Sequence, residues 1–210
     1  MIEENVQEQE EFPESKPAEK ERFTDRVLTR KITLKGITFQ MVDILFTACL
    51  FILAFLIRWK LMPIESADYF GFLEPWMEAI RTNGGWRSLS MEISNYTSPY
   101  MYIMTLLSYI STNDLYALKL VSVAFDYFAA IAVLRILYHM TGNLRKSILG
   151  MAVLLLSPTV IIDSAYWCQC DIIYTSFLLY SYLYFLEDDG EKSAICFGLS
   201  FMFKMQSVFL

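Results

Sequence analysis

The sequence predicts an all-α, polytopic membrane protein. Hydrophobic residues make up 55% of the 210 residues, and charged residues only 19%. The apolar residues form several runs that approach the roughly 20 residues needed to cross a bilayer core. Charged residues are concentrated at the N-terminus and in short connections between these runs. Together these observations predict a bundle of about five transmembrane helices in residues 36–210, with short interfacial helices.

Residues 1–35 are predicted to form a disordered cytoplasmic tail. Met1 to Lys20 carries seven Glu against two Lys, together with two Pro and one aromatic residue. Such a segment has too little apolar surface to fold by itself. It is also too long and too acidic for a cleaved signal peptide, so the first apolar run is predicted to act as an uncleaved signal anchor.

The orientation follows from the basic residues that precede the first apolar run. Residues 21–40 contain five basic side chains against two acidic ones, and such a flank is retained in the cytoplasm. We therefore expect a multi-pass protein of the cell membrane with a cytoplasmic N-terminus. The first span is predicted to run outward from Gly36 to Ile57, which makes residues 61–113 an external loop.

The external loop contains a predicted amphipathic helix from Tyr69 to Ile80. Phe72, Leu73, Trp76 and Ile80 recur at helical spacing and would form one apolar face. A helix of this kind, rich in aromatic residues, is typical of the membrane interface.

The segment from Pro99 to Ile110 decides the later topology because its 12 apolar residues are too few for a span. If it crossed the membrane, Asp171 would face the cytoplasm. If it returns to the same side, the basic loop from Tyr138 to Lys146 is cytoplasmic, which the distribution of basic residues favours. We expect the second arrangement, in which Asp68 and Asp171 share the outer surface. The spans that follow are predicted at Leu115–Leu137, Ser147–Ile162, Ile172–Tyr184 and Ser193–Leu210.

The last run continues to Leu210 without a polar end. We therefore expect the chain to be the N-terminal part of a longer protein.

Two charged residues lie inside apolar runs and are candidates for a functional role. Asp126 is near the centre of one run, and Lys204 lies about eleven residues into the last. A charge at the bilayer centre costs about 2.5 to 3.5 kcal/mol, so each needs a partner or a water-filled cavity. For Asp126 a structural contact and a functional role are both open. Lys204 could also reach a lipid phosphate by extending towards the interface.

The connection Trp167-Cys168-Gln169-Cys170-Asp171 places an aromatic ring, an amide and a carboxylate between two apolar runs. The residues themselves leave open for Asp171 that it caps the following helix or holds a divalent metal jointly with Asp68. Cys168 and Cys170 indicate a soft-metal site only weakly, because no second cysteine pair accompanies them.

Several short segments, in this order, resemble one enzyme family. They are SADYFGFLEPW (66–76), NGGW (83–86), NYTSPYMYIM (95–104), SP (157–158), WCQCDIIYT (167–175) and FKMQ (203–206), which spread over about two thirds of the chain. The sequence resembles the integral-membrane glycosyltransferases of the GT-C fold, in particular the bacterial relatives of the glycosylphosphatidylinositol mannosyltransferases. One departure is Cys168, because relatives commonly have glycine after the tryptophan.

The resemblance implies a hexosyltransferase that acts on the outer face of the membrane. Its donor would be a polyprenyl-phosphate-linked hexose, by default mannose, and its acceptor a glycan or lipid; nucleic acid is not an expected partner. Asp68 would act as general base, a role that typically contributes about 10² to 10⁴ in rate, or would orient the acceptor hydroxyl. The leaving phosphate needs cations, for which Lys204, Arg58 and Lys60 are available.

The expected substrate-binding residues are Asp171, Trp167, Gln169, Lys204, Gln206 and Arg58. A Mg²⁺ or Mn²⁺ ion held by Asp68 and Asp171 is an alternative that the residues leave open, since hard cations bind carboxylate oxygens.

Two other functions compete with the transferase. In a transporter, Asp126 and Lys204 would line the substrate path, although the sequence has none of the internal repeats typical of transporters. In a non-catalytic scaffold of an envelope-assembly complex, the acidic tail would serve as a docking arm. A scaffold would tolerate substitution of Asp68, whereas a transferase would not.

Overall fold

The computed structural model describes residues 30–34 and 37–209, most of which are helical. A short antiparallel hairpin comes first, with β1 (Lys31–Leu34) paired to β2 (Ile37–Gln40). This hairpin occupies positions that the sequence assigned to the end of the tail and the start of the first span. Residues 1–29 of the predicted tail lie outside the described residues.

The helices follow in an order that matches the predicted runs. They are α1 (Met41–Leu61), α2 (Glu74–Thr82), α3 (Ser98–Ile110), α4 (Asp114–Thr141), α5 (Leu144–Leu155), α6 (Pro158–Ile161), α7 (Asp171–Leu186) and α8 (Gly190–Phe203). A π-helical turn, Tyr69–Leu73, leads into α2, and a second one, Ile162–Tyr166, continues α6. Short 3₁₀ turns lie at Gly85–Ser90 and Met205–Phe209. The predicted helical class of the protein is confirmed.

Within the described part of the chain, α1 and α4 are the helices long and apolar enough to cross a membrane by themselves. A third span results if α5 and the segment Pro158–Tyr166 are counted together, with a bend of 48° between them. Pro158 explains this break, because it has no N–H to continue α5 and begins a new helix instead. Helices α7 and α8 have 16 and 14 residues, so the predicted number of five spans is not confirmed.

Polar caps set the helix boundaries. The side chains of Asn113, Asn143 and Asp189 each accept a hydrogen bond of 3.1 Å from a backbone N–H in the first turn of α4, α5 and α8. Gly142 ends α4 in the left-handed conformation, with φ of 62°, which glycine adopts without a steric penalty. The turn between α4 and α5 is therefore short, and the two helices lie side by side.

Helix α4 is the central element of the bundle, since it packs against both α5 and α7. Ala54 on α1 and Ala130 on α4 are completely buried together with Ile148 and Met151 of α5. Small residues of this kind let helices approach closely, which provides packing energy inside a membrane. On the opposite side of α4, Phe128 stacks on Tyr180 of α7 with ring centroids 4.2 Å apart.

A buried ion pair joins α1 to α4. Arg58 Nε donates to Asp126 Oδ2 over 2.7 Å, and both side chains are 0% exposed. Arg58 Nη1 also donates to the carbonyl oxygens of Ala54 and Leu155, at 3.1 and 3.0 Å. Ser164 Oγ donates to the same carboxylate oxygen over 2.6 Å. The partner that Asp126 needs in an apolar run is therefore Arg58, which agrees with the structural alternative for this residue.

Lys119 forms a second buried connection between α1 and α4. Its ammonium group donates to the carbonyl oxygens of Leu61, Met62 and Ile64, at 3.2, 3.3 and 2.5 Å. These carbonyls lie at and just beyond the end of α1, where backbone acceptors lack partners within the helix. Lys119 therefore fixes the point at which the chain leaves α1 and enters the external loop.

The loop from residue 61 to residue 113 folds into a layer of short helices. Leu73, Trp76 and Ile80 of the predicted apolar face are buried in a cluster with residues of α3, whereas Phe72 is 49% exposed. The π turn has more residues per turn than an α-helix, and its buried residues are Tyr69 and Leu73. The predicted helix is therefore divided into a π turn and α2, with Phe72 on the exposed side.

The C-terminal end of α3 contacts this loop layer and the start of α4. Arg81 of α2 donates to the carbonyl oxygen of Ser111 at the end of α3, over 3.2 Å, and to the carboxylate of Asp114 at the start of α4. Tyr109 is packed against Gly85, where a Cβ atom would lie 1.9 Å from the tyrosine hydroxyl. These contacts hold the end of α3 against the loop layer.

We expect Asp126→Asn to destabilise the protein by about 3 to 5 kcal/mol, because it leaves the Arg58 guanidinium buried without a counter-charge. Unfolding by a denaturing detergent, followed by circular dichroism, measures the effect. Glu187→Gln is the matched control, because it breaks the partly exposed pair with Arg135 and should cost at most about 1 kcal/mol.

The double variant Arg58→Met/Asp126→Leu should recover most of the lost stability, because it removes both buried charges at similar volume. Equal stability of Asp126→Asn and the unmodified protein would contradict the role of this pair.

Candidate functional site

The candidate site lies where the start of the external loop meets the connection before α7. Ser66 Oγ donates to the carbonyl oxygen of Trp167 over 2.8 Å and accepts from the backbone N–H of Tyr69 over 3.2 Å. The serine therefore begins the π turn and attaches it to the second connection. Asp68, two residues on, is held at the junction of two segments that are a hundred residues apart in the sequence.

Gln169 holds the carboxylate of Asp68. Its Nε2 donates to Asp68 Oδ2 in a short hydrogen bond, while its Oε1 accepts from the hydroxyl of Tyr96 over 3.1 Å. The carboxylate fixes which end of the amide faces it, because only the amide nitrogen can donate to a carboxylate, and the tyrosine hydroxyl donates to the amide oxygen at the other end. Asp68 is partly buried but still reaches solvent, as a base that meets a substrate must.

Asp171 and Lys204 form an ion pair beside this arrangement. Lys204 Nζ donates to Asp171 Oδ1, and the two side chains are about one third exposed. Burial lowers the pKa of Lys204, but the hydrogen bond and the charge of Asp171 outweigh it, so that the pKa lies above its ordinary value. The lysine is therefore cationic at neutral pH.

The structure changes the prediction for the surroundings of Lys204. The sequence places it well inside a continuous helix, but α8 ends at Phe203 and Lys204 has an extended backbone with φ of −154° and ψ of 123°. The break moves the lysine out of the helix and lets it reach Asp171. Its partner is thus a carboxylate of the protein.

Asp171 is the first residue of α7, and the N-cap position before it is occupied by Cys170. The Asp171 carboxylate accepts from Lys204 Nζ. The structure therefore favours a pair with Lys204 over the helix-capping alternative for Asp171.

A cavity of about 240 Å³ opens beside the ion pair. Residues from the external loop, the connection before α7 and the end of α8 line it: Asn95, Tyr96, Thr97, Tyr100, Cys170, Asp171, Phe203, Lys204, Met205 and Gln206. Thr97 Oγ1 donates to the carbonyl oxygen of Phe203 over 2.7 Å, which ties the start of α3 to the end of α8. The cavity shares Tyr96 with the arrangement around Asp68.

The remaining predicted site residues are less closely grouped. Trp167 is 51% exposed and does not line the cavity. Its carbonyl oxygen contacts Ser66, two residues before Asp68. Gln206 is exposed and lines the cavity. Arg58 is completely buried in its pair with Asp126, so its guanidinium does not face this cavity.

The cysteines of the connection are neutral thiols. Burial raises the pKa of Cys168 to about 12, and burial together with the charge of Asp171 raises that of Cys170 to about 12. Since metals bind the thiolate form, neither residue is suited to a soft metal. Over residues 30–34 and 37–209, no group of three or more His, Cys, Asp or Glu side chains could hold a metal ion. Asp68 and Asp171, the predicted metal ligands, are each hydrogen-bonded to a neighbouring side chain.

Sequence reasoning did not single out Tyr96, Tyr100 or Asp163. Tyr96 orients Gln169, and Tyr100 is a buried member of the cavity wall. The carbonyl oxygen of Asp163 accepts from the backbone N–H of Gln169 over 2.9 Å, and its carboxylate interacts electrostatically with Asp171 and Lys204. The sequence does carry a signal for Asp163, which is a carboxylate at the end of an apolar run. Nothing distinguishes Tyr96 and Tyr100 from the other eleven tyrosines in the sequence.

Comparison with known proteins adds no relative: no family model, no curated protein and no solved structure matches this chain.

We expect Cys170 to resist alkylation in the folded protein. With a pKa of about 12 instead of 9.0, the thiolate fraction at pH 8 falls about a thousandfold, and the thiolate is the reactive form. Iodoacetamide labelling at pH 8, followed by peptide mass spectrometry, should modify Cys170 rapidly only after denaturation. Equal labelling of the folded and denatured chain would contradict the buried, neutral thiol.

Proposed function

We propose that the chain is a membrane glycosyltransferase, or its N-terminal part, that transfers a hexose from a polyprenyl phosphate to a glycan or lipid acceptor. The observation that carries this proposal is the position of Asp68. Its carboxylate is fixed by an oriented amide, stays accessible, and adjoins, through Tyr96, a small cavity in which a few polar groups lie on an apolar and aromatic wall. A carboxylate in that setting is suited to accept a proton from a sugar hydroxyl.

In the proposed reaction, an acceptor hydroxyl attacks the anomeric carbon of the donor hexose. The new C–O bond forms as the bond between the anomeric carbon and the phosphate oxygen breaks. Asp68 accepts the hydroxyl proton, and polyprenyl phosphate leaves with the bonding electron pair. Inversion at the anomeric carbon is what the family resemblance implies for a single displacement.

Gln169 acts in this proposal as a positioning residue for Asp68. Its amide donates to one carboxylate oxygen and leaves the other available to the acceptor. Tyr96 donates to the oxygen at the other end of the amide and holds the Gln169 side chain in place. Both polar ends of the Gln169 amide are occupied by protein, which favours this role over direct binding of sugar.

The leaving phosphate requires a cation close to the external loop. Lys60 is exposed at the last turn of α1, whereas Arg58 is buried in its pair with Asp126 and Lys204 is bound to Asp171. Of the three cations that the sequence suggests for this step, Lys60 is therefore the one best placed to accept a new anionic partner.

We further propose that α7 and α8 also cross the membrane and that the N-terminus is cytoplasmic. Helix α7 pairs with α4 at two depths, through the stack of Phe128 on Tyr180 and the ion pair of Arg135 with Glu187. Helix α8 packs along α7. Such contacts support helices that run through the same layer as α4 despite their modest length.

The transporter alternative receives less support. It requires Asp126 and Lys204 to line one substrate path, but Asp126 is 0% exposed beside Arg58, and Lys204 lies in the loop layer with Asp171. A path through Asp126 would have to break the buried ion pair.

We expect Asp68→Asn to lower hexose transfer by about 10² to 10⁴ while the protein remains folded. The substitution keeps an oxygen that can accept from Gln169 but removes the basic carboxylate. Transfer of radiolabelled hexose from a polyprenyl-phosphate donor into membrane acceptors measures the effect. Glu65→Gln, which neutralises an exposed acidic residue of the same loop, is the matched control and should leave transfer unchanged.

Near-normal transfer by Asp68→Asn would exclude Asp68 as the base. Failure of the unmodified, folded chain to use any of a panel of polyprenyl-phosphate hexoses would count against the transferase itself.

The proposed topology predicts that a cysteine at Thr112 reacts with a membrane-impermeant thiol reagent from outside the cell. Thr112 is exposed between α3 and α4, and the neighbouring cap Asn113 stays intact. A cysteine at Thr141, at the other end of α4, is the matched control and should react only after permeabilisation. Both variants are made in a cysteine-free background, and the reverse pattern of labelling would invert the topology.

A further inference from the structure

We propose that the cavity beside Asp171 and Lys204 binds one uncharged sugar ring and that the Tyr100 hydroxyl donates a hydrogen bond to it. This inference deepens the proposed function, on which it rests for the identity of the ring as a reacting sugar. Binding of the ring itself is a separate property that can be measured without transfer.

Tyr100 is the first observation behind this inference. Its side chain is 1% exposed and lines the cavity, yet its hydroxyl forms no hydrogen bond with any residue in the described part of the chain. A buried hydroxyl without a partner is costly, and native structures rarely keep one without a reason. Burial raises the pKa of this phenol well above its ordinary value, so the group stays protonated and can donate. A ligand oxygen in the cavity would supply the missing partner.

Charge is the second observation, and it argues against an anionic ligand. The charged residues among those lining the cavity are Asp171 and Lys204, whose charges offset each other. A further carboxylate, that of Asp68, lies close enough to act electrostatically on Tyr96 in the cavity wall. A phosphate would therefore meet an excess of negative charge, whereas an uncharged polyol would not.

The lining also has the mixture of groups that a sugar ring requires. The amides of Asn95 and Gln206 can each donate and accept hydrogen bonds with ring hydroxyls. The rings of Tyr96 and Phe203 offer apolar faces to the C–H side of a pyranose. Sites with a few polar groups on an apolar and aromatic wall are typical of small-molecule recognition.

Size limits the ligand to a single ring. The volume of about 240 Å³ equals about eight water molecules at bulk density, which is below the usual range for drug-sized ligands. The hydrogen bond from Thr97 to Phe203 keeps the wall in place. Because Tyr96 lies in the wall and also contacts Gln169, a ring in the cavity is connected to the residue that positions Asp68.

The test is direct binding of simple glycosides to the full chain. Methyl α-mannopyranoside and methyl α-glucopyranoside are added separately to the protein in phosphatidylcholine nanodiscs, which avoids sugar-based detergents. Saturation-transfer difference NMR then reports contact with the ring protons. We expect at least one glycoside to bind and inorganic phosphate to leave its signal unchanged.

Tyr100→Phe should weaken glycoside binding about threefold to tenfold, the effect of losing one hydrogen bond between neutral groups. The variant should fold as well as the unmodified protein, because the hydroxyl that it removes has no partner among the described residues. Tyr102→Phe is the matched control, since it removes a hydroxyl from a tyrosine on the same helix that is 51% exposed and does not line this cavity.

Three results would overturn the inference: no binding of either glycoside, displacement of the glycoside by inorganic phosphate, or equal affinity in Tyr100→Phe and Tyr102→Phe. Asp68→Asn separates this inference from the transferase, because it should retain glycoside binding while it loses transfer. Binding without any transfer by the unmodified protein would count against the transferase and leave the sugar site in place. Transfer without glycoside binding would support the transferase and exclude the sugar site in this cavity.

Discussion

The pair of Arg58 and Asp126 is the interaction on which the rest of the bundle depends. Two unlike charges are fully buried between α1 and α4, and each would be costly inside a membrane without the other. The guanidinium also reaches Leu155 at the end of α5, and the carboxylate accepts from Ser164 in the following π turn. One ion pair therefore sets the relative position of four segments: α1, α4, the end of α5 and the π turn that follows α6. The ion pair favours a single arrangement of the helices, because any sliding of α1 along α4 would separate the two buried charges.

The site is built where α1 leads into the loop from residue 61 to residue 113. Lys119 binds the carbonyl oxygens that follow α1, so the external loop starts from a fixed point. Ser66 then attaches the loop to Trp167, and Gln169 in the same connection reaches Asp68. The candidate base is thus held by loops, but those loops are anchored to buried charges in the bundle. This organisation keeps a carboxylate accessible and still well oriented, which a mobile loop would not do.

Charge also divides the site into two regions with different chemistry. Around Asp68 a carboxylate is oriented to accept a proton, and around Asp171 a carboxylate is offset by Lys204 within a wall of amides and aromatic rings. Tyr96 belongs to both regions. In the proposed enzyme the first region performs proton transfer and the second recognises a sugar. Such a division agrees with a reaction in which the sugar is uncharged and only its leaving group carries charge.

Composition and the distribution of apolar runs were sufficient to predict a helical protein with membrane-spanning segments, because burial in lipid demands long apolar helices. The order of short polar motifs was likewise sufficient to single out Asp68 and Asp171, since carboxylates are conspicuous between apolar runs. The sequence could not place Lys204 correctly or reveal the π turn before α2, because a helix break and a π turn depend on tertiary contacts that no local periodicity reveals. Nor could it assign Arg58 to Asp126 or identify Tyr96 and Tyr100, since pairing across 68 residues and burial of a single hydroxyl are decided by how the helices pack.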